Sequence, residues 1–509
     1  MSISKSLKDN IAHIEKIFDK CGDVVKRELP IGLKNQFHIY IVYIDLLIDT
    51  NVIDEQIIYS LKTNESYLFD KNNAVKENLL DSVKNIGIDK FDVSEESDMS
   101  QVEFGILCGD TAIFIDGEEK AILASSKSFP NRGVQNADSE VVVQGAKESF
   151  SEVFRINTAL IRRRIRDTNL KIEQVLIGRK SKTNVAIIYL DDLVRKNILQ
   201  EVLDRIDNID IDAIFDIGYI EQLIEDNFFS PFPQGQITER PDKAASAVLE
   251  GRIGIIVDNS PYVLLVPSTL NVFFQSSEDY YQRWEIASFT RILRFIGGFL
   301  AIALPGIYIA TSTYHPSMIP MELLFRMSEA RKDIPFPAIF EIIMMELIFE
   351  LLREAGIRLP KAVGTTLGIV GGLIIGQTAV EVGIVSPMVV IIISITAIAG
   401  FAIPNYSLVA GFRLVKYFIL ICSSLLGILG FWLSLIIVIL HLVSLKSFGL
   451  PYMYPFVSGH INEYKDLQDT IIRPPIFKLK FRPIFANPKN IKRIDNEKFE
   501  NKRNKLKKE

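Results

Sequence analysis

The residues with the most chemical potential in this sequence are ionisable groups inside an apolar run. The segment Phe336–Arg358, FPAIFEIIMMELIFELLREAGIR, is strongly apolar yet carries Glu341, Glu346, Glu350, Arg353 and Glu354. On a helix, steps of four and three residues return to nearly the same face, so Glu346, Glu350 and Arg353 form one narrow stripe. Two arrangements satisfy such a stripe. One is an amphipathic helix with an internal ladder of ion pairs, lying on a membrane surface. The other is a polar face turned inward in an assembly beside a water-filled path, because ionisable groups at membrane depth seldom face lipid.

A second pattern follows directly, with glycine at Gly364, Gly368, Gly372 and Gly376. Three overlapping Gly-x-x-x-Gly units make a groove of bare backbone that lets another helix approach closely. The same lack of side chains suits a pore-lining helix, and Thr365, Thr366, Gln377, Thr378 and Glu381 add polar atoms to the segment. The candidate ion-pathway or gating positions are therefore Glu346, Glu350, Arg353, Gly364, Gly368, Gly372, Gly376, Gln377 and Glu381.

Chemistry of other kinds finds no support. Phosphate-binding glycine loops, the nucleophile elbow and the His-Glu-x-x-His zinc motif do not occur. His13, His38, His315, His441 and His460 stand apart, and Cys21, Cys108 and Cys422 form no Cys-x-x-Cys pair. The sequence thus predicts no enzyme, no cofactor and no metal site, and any energy used would come from an ion gradient or a ligand.

The elements that must hold these groups are membrane helices, since about 20 apolar residues cross a bilayer. Leu293–Thr311 qualifies, with Arg294 expected to snorkel and Pro305 to kink it. Gly364–Gly383 and Met388–Ala402 follow. Leu414–Leu445 spans 32 residues with Lys416 as its one charge. It reads either as one long tilted helix or as a pair broken near Gly427–Gly430, and the pair is preferred. Counting the acidic helix as a crossing gives six and puts Arg358, Lys361, Arg413 and Lys416 inside. Treating it as interfacial, with one long final helix, gives four.

The preceding part reads as soluble α/β structure in two subdomains, residues 1–130 and 140–285, ahead of an all-α polytopic transmembrane domain over 290–448 and a basic cytoplasmic tail over 449–509. A helical stripe is predicted over residues 4–28, a buried strand over His38–Ile48, helices near 52–62 and 73–86, and three short strands in VEFGILCGDTAIFIDGEEKAILAS. Beyond a polar linker at Asn131–Ser139, Gly145–Asp167 reads as a helix whose Arg162-Arg163-Arg164 run is a solvated end. Strands at Glu173–Ile177 and Asn184–Tyr189, helices near 191–206 and 218–226, a strand near 211–215, a helix over Ala244–Glu250 and two strands in RIGIIVDNSPYVLLVP complete the second subdomain. The N-terminus lacks the apolar core of a signal peptide, so this part is expected in the cytoplasm. Net charge is −5, but Lys446–Glu509 carries 15 Lys and Arg against 7 Asp and Glu, leaving −13 for the rest. The basic concentration sits beside a membrane segment, which points to lipid rather than nucleic acid as its neighbour.

Several long runs in order carry a resemblance: FSPFPQGQITERPDKAASAVLEGRIGIIVDNSPYVLLVPSTLNVFFQSSEDYYQRW, SFTRILRFIGGFLAIALPGIYIA, HPSMIPMELLF, GTTLGIVGGLIIGQTAVEVGIVSP and SFGLPYMYPF. From about Gly145 to Arg482 the chain resembles the A subunits of spore germinant receptors of endospore-forming bacteria. The resemblance implies a multi-pass subunit of a nutrient receptor in the spore inner membrane, its N-terminal region facing the spore core. It implies a transporter-like B subunit and a lipoprotein C subunit as partners, and an oligomer, a pentamer, that conducts monovalent cations. A secondary transporter and a membrane-anchored scaffold are the competing classes. The former would need two repeated halves with broken helices, and no such repeat is found.

Overall fold

The computed structural model describes residues 2–31, 37–48, 53, 59, 80, 93–128, 140, 144–358, 376–457 and 469–494. The chain divides into two units. Met1–Asp226, Gly235–Ser268 and Lys480–Glu509 form the first, and Asn227–Gln234 with Thr269–Leu479 form the second.

Unit 1 is built on two five-stranded sheets, antiparallel throughout. The first comprises β1 (Val24–Ile31), β2 (Phe37–Ile44), β3 (Val93–Glu96), β4 (Thr111–Ile115) and β5 (Ala121–Ala124), in the order β1-β2-β4-β5-β3. The second comprises β6 (Leu170–Ile177), β7 (Thr183–Leu190), β8 (Gln236–Thr238), β9 (Ile253–Val257) and β10 (Val263–Val266), in the order β6-β7-β9-β10-β8. The orders are the same once each sheet is numbered from its own start. Each sheet is also preceded by a helix, α1 (Leu7–Ile17) or α3 (Phe154–Arg162), and each joins its third strand to its fourth through another, α2 (Met99–Leu107) or α6 (Pro241–Leu249). Between β7 and β8 lie α4 (Lys196–Asp207) and α5 (Ile217–Ile224). The unit is a structural duplication.

Strand alternation explains the layering. In β2, Tyr40, Val42 and Ile44 join a core with Leu7, Ile14, Val102 and Ile106 of the helices, while Ile39, Ile41 and Tyr43 join the core on the opposite face. The two sheets are locked together by a short stretch before β1. Cys21 bridges Ile172, with Gly22 N donating to Ile172 O and Ile172 N to Lys20 O. Arg162 then grips Asp23 in a bidentate pair, Nε to Oδ2 at 2.9 Å and Nη2 to Oδ1 at 2.8 Å, with side chains 0% and 2% exposed. Burial pushes the Cys21 thiol up, which leaves it unreactive.

Several expectations for this unit need correction. Val24 and Val25 belong to a strand rather than to the first helix. Met99–Leu107 is a helix, started by Asp98 accepting from Ser100 N, and not a strand. The helix expected from Gly145 runs only over Phe154–Arg162, and residues 211–215 form no strand. Arg162 is not solvated, and Arg163 and Arg164 pair with Glu148. The helices expected near 52–62 and 73–86 lie largely outside the described residues. Residues 480–494 pack onto the second sheet: Ala486 bridges Val194, and Asn487 N donates to Leu193 O.

Unit 2 is helical. It contains α7 (Leu270–Phe274), α8 (Glu278–Tyr281), α9 (Trp284–Ile309, continued by a π turn to Tyr314), α10 (Met321–Ala330), α11 (Ala338–Arg358), α12 (Gly376–Glu381), α13 (Pro387–Phe401) and α14 (Tyr406–Ser444). Two of these, α9 and α14, are long and apolar enough to cross a bilayer. The second is in fact a hairpin. Gly427 has φ 61° and ψ −137°, which breaks the helix. The Phe232 ring lies 6.2 Å from that of Phe412 and 5.9 Å from that of His441. In a straight helix those two residues would sit about 43 Å apart at 1.5 Å per residue. The chain therefore doubles back, as the paired reading of Leu414–Leu445 expected. Tyr314 packs at the turn, its hydroxyl donating to Ser424 O at 2.5 Å.

Candidate functional site

The two arms of α14 bury Gly411, Lys416, Ser423, Gly430 and Ser434 among apolar residues such as Phe412, Ile419 and Phe431, and expose other large apolar ones such as Leu414, Leu425, Leu429 and Leu440. Against the first arm runs α11. Glu346 Oε2 accepts from Lys416 Nζ at 2.5 Å, with side chains 2% and 8% exposed. One turn on, Glu350 Oε2 accepts from Arg413 Nη1 at 3.3 Å and also pairs with Arg353. Rising numbers on α11 meet falling numbers on α14, so the helices are antiparallel here. Spacings of four on one helix and three on the other keep all five groups on facing stripes. Counting from Tyr406 at 1.5 Å per residue, Lys416 sits about 15 Å along an arm of about 30 Å.

The start of α11 is pinned in the same way. Glu341, fully buried, takes Arg331 Nη2 at 3.0 Å on one carboxylate oxygen and Ser386 N at 2.7 Å on the other. Ser386 in turn caps α13, its side chain accepting from Val389 N. One carboxylate thus ties α10, α11 and α13 together.

A cavity of about 40 Å³ opens beside the Glu346–Lys416 pair. It is lined by Glu346, Arg353, Arg413 and Lys416, by Thr396 of α13, and by apolar atoms. Glu346 Oε1 and Arg413 Nε are buried there without a protein partner. The Arg413 guanidinium lies over the Tyr406 ring at 5.8 Å, and Lys416 Nζ lies over Tyr417 at 5.3 Å.

A second ionic cluster holds the start of α9. Arg291 meets Asp279 at 2.9 Å and Asp469 at 2.7 Å, and Arg294 meets Asp279 at 2.8 Å. Arg294 is only 8% exposed and so does not snorkel: a buried carboxylate neutralises it where it stands.

Of the positions singled out from sequence, Glu346, Glu350 and Arg353 come together. Gly376 is buried at the start of α12, while Gln377 donates to Glu381 at 2.8 Å on an exposed face outside the cavity lining. Gly364, Gly368 and Gly372 lie outside the described residues. The stripe is not an internal ladder alone: Glu350–Arg353 is internal, but Glu346 and Glu350 reach a neighbouring helix. Sequence reading used Arg413 and Lys416 only as topology markers and missed them as partners. The signal was present, since a lone lysine in an apolar run demands a carboxylate and α11 is the apolar segment that supplies one.

Residues 12–485 match the sequence model of the family described as Bacillus/Clostridium GerA spore germination protein. This chain belongs to that family. Among curated relatives, spore germination protein KA of Bacillus subtilis (strain 168) is 40% identical over 94% of this chain and 87% of its own length. The uncharacterized membrane protein YfkQ of the same organism is 39% identical over 94% of this chain and 91% of its own. The crystal structure of the N-terminal domain of the A subunit of the Bacillus megaterium spore germinant receptor GerK3 aligns with a TM-score of 0.42 at 32% identity, covering 52% of this chain and 96% of that domain.

Proposed function

We propose that this GerA-family chain is the A subunit of a nutrient germinant receptor in the spore inner membrane, with unit 1 on the core side and the helices of unit 2 crossing the bilayer. It works with a transporter-like B subunit and a lipoprotein C subunit, and assembles with copies of itself, as a pentamer, around a path for monovalent cations. Germinant bound elsewhere in the complex shifts the subunit from closed to open by favouring one state energetically.

The observation that supports a gated role is the Glu346–Lys416 and Glu350–Arg413 pairing at mid-helix. An ionic contact between antiparallel helices in an apolar surround holds one register strongly and is costly to leave half-made, which suits a two-state element. On this reading α11 is anchored by its carboxylates and the gate lies next to it, with Gly364–Glu381 as the segment lining or abutting the path. Six crossings follow once α11 and the α14 hairpin each count fully, which places both termini on one side.

The test is potassium release from spores carrying Gly372→Leu, together with planar-bilayer recording of the reconstituted receptor. Loss of germinant-triggered flux with the complex still assembled supports conduction along this segment. Unchanged flux and unchanged germination remove the segment from the path, and obligatory counter-flux would make the subunit a transporter instead.

A further inference from the structure

Among the described residues, the groups facing the cavity beside Glu346 do not balance. Lys416, Arg413 and Arg353 bring three positive charges and Glu346 one negative; Glu350, outside the lining, adds a second negative charge shared by both guanidiniums. The next charged pair along α11, Glu354–Arg358, is exposed and neutral in itself. The residues between α11 and α12, 359–375, contain no Asp or Glu. From α13 the cavity is lined by Thr396, Ala397, Gly400 and Phe401, none of them charged, and from α9 by Ala301. One positive charge is left over in an apolar surround, where an unmatched charge is expensive.

We propose that this cavity holds one small monovalent anion of halide size. The cavity measures about 40 Å³, and since roughly 10–15 Å³ of such space admits one water, a halide with a companion water fits. The two orphaned atoms have complementary needs. Arg413 Nε is a buried donor facing no acceptor, and Glu346 Oε1, on a side chain 98% buried, is an acceptor facing no donor. Water alone serves both atoms but leaves the charge unmet. An anion against Arg413 and Lys416, with a water between it and Glu346, satisfies the donor, the acceptor and the charge together. The guanidiniums of Arg353 and Arg413, with side chains 18% and 25% exposed, mark the entry side.

The inference rests on the apolar placement of these helices, not on conduction, so a chain that carries no current can still show it. The probe is sodium chloride or bromide, titrated against sodium gluconate at matched ionic strength, into the full-length chain in nanodiscs, read as melting temperature. Halide is expected to raise the melting temperature saturably where gluconate does not. Lys416→Met removes one of the two cations placed against the anion and should weaken or abolish the response. Glu346→Gln leaves it doubly positive, and should lower the half-effect concentration at least fivefold; this variant carries the test if Lys416→Met does not fold. Identical curves in halide and gluconate, or a halide response unchanged in the variants, would overturn the proposal. So would stabilisation that follows protein concentration rather than halide, because the missing charge would then come from a second copy.

Discussion

Replacing Lys416 by methionine is the sharpest probe of the helix pairing. The substitution keeps much of the side chain's length and apolar volume but leaves the Glu346 carboxylate, 2% exposed, without its 2.5 Å partner. Breaking a buried pair by removing one member costs about 3–5 kcal/mol. The expected loss is therefore about 3–5 kcal/mol. The companion variant, Glu346→Gln with Lys416→Met, replaces the ion pair by a neutral contact and should regain most of it, so that the double variant loses less than the two single losses added together in a double-mutant cycle. The assay is denaturant or thermal unfolding of the full-length chain in nanodiscs at pH 7, with both single variants and the double. A Lys416→Met loss below about 0.5 kcal/mol, or no recovery in the double variant, would mean that these groups are not paired in the interior, and the anchored-helix account would fall with them.

Three further outcomes are expected. Gly427→Ala forces a Cβ into a positive-φ, extended-ψ conformation and to 2.9 Å from Tyr314, so a loss of about 2–3 kcal/mol and lower yield of folded chain are expected on melting; a neutral result would rule out the hairpin turn. Arg162→Leu strands buried Asp23 between the two sheets of unit 1 and should cost about 3–5 kcal/mol by chemical denaturation, while adding Asp23→Asn should restore part of it; equal stability of all three chains would contradict the lock. Glu221, on α5, is pushed up to about 8 by burial and then by Glu225 and Asp216. The folded chain holds that proton to about pH 8, whereas the unfolded chain releases it near 4.5, so this group's contribution falls as pH rises through that window. Glu221→Gln should remove a drop of roughly 2 kcal/mol between pH 5 and 8, after discounting for partial exposure, and an unchanged pH–stability slope would refute the assignment.

The stripe Glu346–Glu350–Arg353, the break near Gly427 and the α/β character of unit 1 were legible because they depend on residue type and local period alone. So was the family, carried by long ordered runs. Met99–Leu107 was misread for a physical reason: Met99, Val102, Gly105, Ile106 and Leu107 are all buried, and a segment apolar on most sides shows no period that separates helix from strand. Arg162 was misread because a run of three arginines at a helix end says nothing of a carboxylate 139 positions away.

What the sequence determined by itself is which segments prefer apolar surroundings and which of their residues cannot remain there unpaired. Only the tertiary structure decided the pairings: Glu346 with Lys416 across 70 residues, Arg162 with Asp23, and the same strand order built twice from dissimilar runs. Burying a charge dictates that a partner must exist, but which partner it is depends on how helices and sheets fold back on one another, and that information is not local.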